Sequence, residues 1–274
     1  MDKIIGHEKQ KQILKKMIEE NKVGHAYLFT GKDGIGKKLV AIEFARQAMS
    51  AENSEFFNET DFKIILPEKD SIKIEEVRNL IDEVYLKPAY SKRKVIIIDD
   101  ADKMNSNAQN ALLKVLEEPP TYATLILITS NKDKIIKTIL SRVTEIKFNP
   151  LSNDELLEIV GKDVEFDFAR GSASKALALI NDSTYNLSKE LVDVFEKRNF
   201  VSINKKLAEI RAIDGIDICK VLEFSKIIYF KDIKTNTSSK IKKINFIDET
   251  IRNIKRNANL DLVLDSLNIK MTRV

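Results

Sequence analysis

Cysteine occurs once, at Cys219, so neither an internal disulfide framework nor a multi-cysteine zinc site is open to this chain. Read alone, that thiol is a small core residue beside Ile218 and Leu222. No segment approaches the roughly 18 consecutive apolar residues of a membrane span. Met1-Asp2-Lys3-Ile4 opens no secretory apolar stretch, so a cytoplasmic protein with no membrane partner is expected. Histidine is nearly absent: His7 and His25 lie far apart, and neither is read as a metal ligand. Proline and glycine run out along the chain. The fifth and last proline is Pro150 and the last of eight glycines is Gly215. The chain therefore begins as a turn-rich α/β region and ends as nearly uninterrupted helix.

The 274 residues, 43% hydrophobic and 32% charged, are enough for two or three globular domains with their own cores. The net charge of +4 hides an asymmetry: from Lys197 onward 17 Lys and Arg face 9 Asp and Glu. A basic C-terminal third suits a nucleic-acid or acidic-protein surface, or equally a solvated helical face, since the charges are spread out.

Val95-Ile96-Ile97-Ile98 is an unbroken β-branched run that suits a parallel strand buried on both faces. Asp99 and Asp100 follow at its carboxyl end, the edge where open α/β sheets bind ligands. A buried strand explains the hydrophobic residues but not two adjacent acids. Upstream, the strand Ala26-Tyr27-Leu28-Phe29 leads into Gly31-Lys32-Asp33-Gly34-Ile35-Gly36-Lys37-Lys38, and Ala41, Phe44, Ala45 and Ala48 space a helix behind it. This is G-x-x-x-x-G-K between a strand and a helix. Gly31, Gly34 and Gly36 let backbone N–H groups turn around phosphate oxygens, the helix N-terminus adds positive potential, and Lys37 reaches the outer phosphates. The competing reading is a glycine-rich helix cap. The last position departs from the pattern: a Ser or Thr hydroxyl there binds Mg²⁺, whereas Lys38 carries three donors and no lone pair. The loop then holds ATP, ADP or phosphate without metal, or holds nothing, and Lys38 can fill the place of the cation. The Gly6-His7 turn has a structural or an adenine-side role.

The rest of the first half alternates. A polar linker over Asn53–Asp61 precedes a strand, Phe62–Leu66, and Ile74, Val77, Ile81 and Val84 space a helix. Ser106 and Gln109 have capping-box spacing for a helix whose face is Ala108, Ala111, Leu112, Val115 and Leu116, stopped by Pro119-Pro120. Thr124–Thr129 is a buried strand; polar groups at its end either sense a γ-phosphate or simply terminate it. Leu140-Ser141-Arg142-Val143 leads into a last strand, Thr144–Phe148. The alternation predicts a parallel sheet with helices on both faces. Further on, Ile241, Ile244, Ile247, Ile251 and Ile254 form a helical stripe suited to packing on a partner helix.

Four stretches agree in type and order: Gly31–Lys38, Val95–Asp100, Ala111–Pro120 (Ala-Leu-Leu-Lys-Val-Leu-Glu-Glu-Pro-Pro) and Ser141-Arg142. Together they resemble the clamp-loader branch of the AAA+ proteins, and within it the delta-prime type of subunit of bacterial DNA polymerase III. Lys38 at the Mg²⁺ position, Asp100 where the ATPase relatives carry a catalytic Glu, and the short chain carry that narrower likeness. Beyond Pro150 it rests on Gly171-Ser172 and on Asn257–Leu267.

The resemblance implies an AAA+ P-loop α/β domain over 1–150, a helical lid over 151–184 opened by a Ser152/Glu155 capping box, and a helical collar over 185–274. It implies partners in a ring, the gamma/tau and delta subunits, with the sliding clamp and primed DNA reached through the complex. Many relatives insert a four-cysteine zinc module after the P-loop helix; its cysteines are lacking here, so no zinc is expected. The lid arginine of active subunits is replaced near Ser174, beside Lys175. The resemblance also puts Ser141-Arg142 at the edge facing a neighbour's nucleotide, where Arg142 would act as an arginine finger in trans. Two other readings stand beside this one: a motor ATPase of the gamma/tau kind, in which Lys37, Asp99 and Asp100 serve hydrolysis, and a stand-alone DNA-binding protein using the basic C-terminal third.

Overall fold

A computed structural model of the chain describes residues 1–49, 60–68, 71–161, 169–231 and 237–274; Asn53–Glu59 of the predicted linker lie outside them. Contacts divide the chain into two compact units, Met1–Lys175 and Ala176–Val274.

The first unit is built on five parallel strands: β1 (Ala26–Thr30), β2 (Phe62–Ile65), β3 (Lys94–Ile98), β4 (Ala123–Thr129) and β5 (Thr144–Lys147). Their spatial order is β2-β3-β4-β1-β5. The central strands are buried along their whole length, which is why they read as continuous β-branched and leucine runs rather than as alternation. Successive side chains still point to opposite faces. Tyr27, Phe29, Val95, Ile97, Ile126 and Ile128 pack with Leu14 of α1 (Glu8–Glu19) and with Val40 and Phe44 of α2 (Lys37–Met49). Leu28, Ile96, Ile98, Leu125 and Leu127 pack with α3 (Ile74–Val84), α4 (Ser106–Ala111), α5 (Leu113–Glu117) and α6 (Lys137–Leu140). The predicted α/β class is the observed one.

Because the strands are parallel, every strand-to-helix turn leaves from the same edge. The chain passes from β1 to β2 across two strand positions, while β5 lies on the other side of β1. The exit of β1 is thus a topological switch point, the place where such sheets open a cleft.

The predicted apolar face Ala108–Leu116 is buried, but its helix is broken at Leu112 into α4 and α5. Its cap also differs from expectation. Asn105, not Ser106, is the N-cap, accepting from the Ala108 N–H at 2.9 Å. Gln109 does not reach back to complete a box. Its amide is buried and donates to the carbonyls of Met104 and Lys134, while its oxygen accepts the Ile136 N–H. These bonds tie α4 to the loop before α6 and satisfy the buried amide of Gln109. The Ser152/Glu155 capping box forms as read, at the start of α7 (Asn153–Val160).

The second unit is helical: Ser183–Glu196, Phe200–Ala212, Ile218–Lys231, Thr237–Lys255 and Leu260–Thr272 share one core around Leu191, Phe195, Ile203, Leu207 and Leu222. The isoleucine stripe does not wait for a partner helix. Ile244, Ile247 and Ile251 are buried in this core, and Ile254 packs against it; Ile241 alone is exposed. Cys219 is also not a core residue. It is half-buried in the first turn of its helix, where burial raises its thiol pKa and its N–H is capped by Asp217.

Candidate functional site

At the exit of β1 the loop Gly31–Lys38 leads directly into α2. Its glycines adopt backbone angles that other residues resist: φ is 152° at Gly31, 73° at Gly34 and 103° at Gly36. Space is limiting as well. A Cβ on Gly31 would lie 2.7 Å from the Phe148 carbonyl oxygen, and one on Gly34 would lie 2.8 Å from Ser174 Cβ. The loop is held by its surroundings. His7 Nε2 meets the Ile35 carbonyl at 2.6 Å, and the Ser174 N–H donates to the Gly34 carbonyl at 3.1 Å.

Lys37 is 6% exposed, and its ammonium donates to the carbonyls of Gly31 at 2.8 Å and Lys32 at 2.6 Å. Burial lowers its pKa from the ordinary lysine value, opposed by Asp33, Asp99, Asp100 and Asp102. In this arrangement the ammonium is spent on the loop's own carbonyls. A divalent metal does not fit beside it. Mg²⁺ takes oxygen ligands, and position 38 supplies an ammonium instead. Lys38 Nζ stands 3.3 Å from Asp99 Oδ2, so the first acid of the Asp99-Asp100 pair already has a cation.

Asp100 sits in the left-handed region, with φ 49°, and its carboxylate pairs with Lys103 at 3.1 Å. Thr129, at the tip of β4, is fully buried and donates to Asp102 Oδ1 at 2.7 Å; the Asn131 N–H donates back to the threonine oxygen. The loop, Asp99, Asp100 and Thr129 thus stand at one sheet edge, each strand tip tied to a neighbour. Asp102 had no assigned role in the sequence; its position in Asp-Asp-Ala-Asp, four residues past the strand end, was the available signal.

Arg142 follows α6. Its Nη1 donates to the Thr138 carbonyl at 2.9 Å and to Ser141 Oγ at 3.1 Å, and its Nη2 pairs with Glu117 Oε1 at 2.8 Å. The side chain is 35% exposed, so the guanidinium is at the surface rather than in the core.

Residues 6–152 match the family model described as DNA polymerase III, delta subunit. The chain belongs to this clamp-loader family. Among curated relatives, the DNA polymerase III subunit gamma of Buchnera aphidicola is 32% identical over 75% of the chain and 64% of that protein. The subunit delta' of Bacillus subtilis is 31% identical over 73% of the chain and 62% of that protein. The chain therefore spans less than two thirds of these relatives' length. A DNA polymerase III gamma subunit-related protein from Thermotoga maritima has the same fold, with a TM-score of 0.55 and 24% identity over 96% of this chain and 99% of that one. The clamp-loader match covers the sheet, the Gly31–Lys38 loop, Asp99, Asp100, Thr129 and Arg142. Among the described residues no helix is long and apolar enough to cross a membrane, and no cluster of three His, Cys, Asp or Glu is placed to hold a metal.

Proposed function

We propose that the chain is a delta-prime-type clamp-loader subunit: a ring scaffold that does not turn over ATP itself and supplies Arg142 to a neighbouring subunit's nucleotide. The Lys38–Asp99 ion pair carries the reading. Hydrolysis in this fold needs a metal between the loop and the acidic strand to neutralise charge growing between the phosphates. A lysine in that position neutralises Asp99 but offers no ligand to phosphate-bound Mg²⁺. Asp100, one methylene shorter than the Glu of motor subunits and paired with Lys103, is poorly set to orient water. Arg142 is charged at any physiological pH and exposed enough to meet a phosphate. Its partners on this reading are gamma/tau and delta subunits, with the sliding clamp and primed DNA engaged through the assembly. The three-domain division at 150 and 184 belongs to the same proposal.

The test is a reconstituted loader. The isolated chain should show negligible Mg²⁺-dependent ATPase. Arg142→Ala should slow ATP-dependent clamp loading at least about tenfold, since a trans arginine is worth on the order of 10³–10⁵ at its own site. Brisk turnover by the lone chain would sink the first half, and an unimpaired Arg142→Ala complex the second. A gamma/tau-type motor reading draws on the near-equal identities to gamma and delta' relatives, 32% and 31%. It requires nucleotide to raise the melting temperature more with Mg²⁺ than without.

A further inference from the structure

The Leu-Glu-Glu-Pro-Pro motif is distinctive, yet nothing above gives it a task. The Arg142 contacts do. Both terminal nitrogens of the guanidinium are engaged, but by different kinds of group. Nη1 is held by two partners on its own short helix and turn, the Thr138 carbonyl and Ser141 Oγ. Nη2 is held from across the surface by Glu117, the last residue of α5. That carboxylate springs from a fixed backbone. Val115 and Leu116 before it are each 3% exposed, and Pro119-Pro120 just beyond restrict the exit of the chain.

We infer that Glu117 is a positioning residue for Arg142: it holds the Nη2 end so that the guanidinium is presented before any phosphate arrives. The inference rests on the trans-arginine reading of Arg142. The Nη1 contacts tie the guanidinium only to its own short turn, which can move with it. The contact through Nη2 ties it to a second element, α5. Presentation in advance matters because a misplaced charged group loses much of its worth in the transition state. The pair is also easy to exchange. Glu117 is 50% exposed and Arg142 35%, so solvent screens their attraction. A phosphate with greater charge can take Nη2 from the carboxylate without a large penalty. The motif thereby gains a physical role: buried leucine and valine anchor the turn, the prolines stiffen it, and the first glutamate orients the arginine.

The experiment is a double-mutant cycle in the reconstituted loader, reading ATPase kcat and KM, subunit assembly and the melting temperature. Glu117→Gln should lower kcat about two- to fivefold, the scale of one exposed ion pair, with KM, assembly and melting temperature unchanged. Glu117→Asp should recover part of the loss. Glu117→Gln combined with Arg142→Ala should be no slower than Arg142→Ala alone. Wild-type kcat in Glu117→Gln overturns the inference, as does a loss that multiplies with that of Arg142→Ala. So does a fall in melting temperature or assembly matching the kcat loss. If Arg142→Ala itself leaves kcat untouched, the trans-arginine reading falls and takes this inference with it. A slow Arg142→Ala beside a normal Glu117→Gln removes the positioning role alone.

Discussion

The α/β unit and the helical unit both bury polar side chains, but they put them to different uses. In the helical unit most are answered by a neighbouring turn or helix; among the described residues the Tyr229 hydroxyl is left without a hydrogen-bond partner. Ser188 Oγ donates to the Thr184 carbonyl, with that of Val221 also within reach, Ser225 Oγ to Val221, Thr250 Oγ1 to Phe246, and Asn268 Nδ2 to Phe200. Most of these bonds reach back one helical turn or across to the next helix, so they knit a bundle. In the α/β unit, Lys37 and Thr129 are buried at the same sheet edge as Asp99 and Asp100. Other buried polar groups of this unit, Asp61 and Gln109 among them, hold loops as those of the bundle hold helices; what the sheet edge adds is convergence. Lys220–Asp182, Lys226–Asp248, Lys243–Glu196, Lys255–Glu223 and Lys270–Glu249 are ion pairs that lace helices together, so the basic surplus of the C-terminal third is partly internal.

The sharpest way to break this contrast is to damage one unit. Phe195→Ala, which empties a fully buried position of the helical core, should cost about 3–5 kcal/mol. Hydrogen exchange should then speed up in the helices after Ser183 while β3 and β4 keep their protection. Equal loss in both units would make the two cores one cooperative body.

The next largest effect tests whether the converging edge is a site modified at one residue. Lys38→Thr restores a hydroxyl and frees Asp99. Nucleotide with Mg²⁺ should then stabilise the variant by about 2.7 kcal/mol at a hundredfold excess over Kd, read by thermal shift, while the parent shows no metal-dependent gain. A parent that responds as strongly would mean that the Lys38–Asp99 pair opens readily.

Asp61 offers a polar group of the α/β unit that is structural. It is fully buried and accepts the N–H groups of Ala89, Tyr90 and Ser91 at 2.7 to 2.8 Å. Burial pushes its pKa up, but the three donors outweigh it, and the net shift is downward. A carboxylate depressed in the folded state adds stability above its unfolded pKa and loses it as pH falls through the folded value. Denaturation followed from about pH 5 downward should show that loss. Asp61→Asn should flatten it and cost about 2 kcal/mol near neutrality. The smallest effect belongs to the lacing: Lys220→Ala should change stability by about 0.2–1 kcal/mol, less in high salt.

How far the sequence could be read follows from where each signal is stored. β3 and β4 were plain because parallel strands buried on both faces have no alternation to confuse them, and the Gly31–Lys38 loop because only glycine accepts its dihedrals. The cap at Asn105 was missed by one residue because Ser106 also fits the local pattern; the long-range bonds of Gln109 decide between them. The stripe from Ile244 to Ile254 had the right period, but a period does not say whether the facing surface is one's own. Nor could the partners of Lys38 and Arg142 be read, since Asp99 lies 61 residues from the first and Glu117 25 from the second. Only the strand order brings them together.

A magnesium ion can be chelated, diluted or exchanged for manganese. An ammonium on a four-carbon stem can be none of these, and its supply is written in the gene. The Lys38–Asp99 contact is thus one tie between loop and acidic strand that EDTA cannot strip.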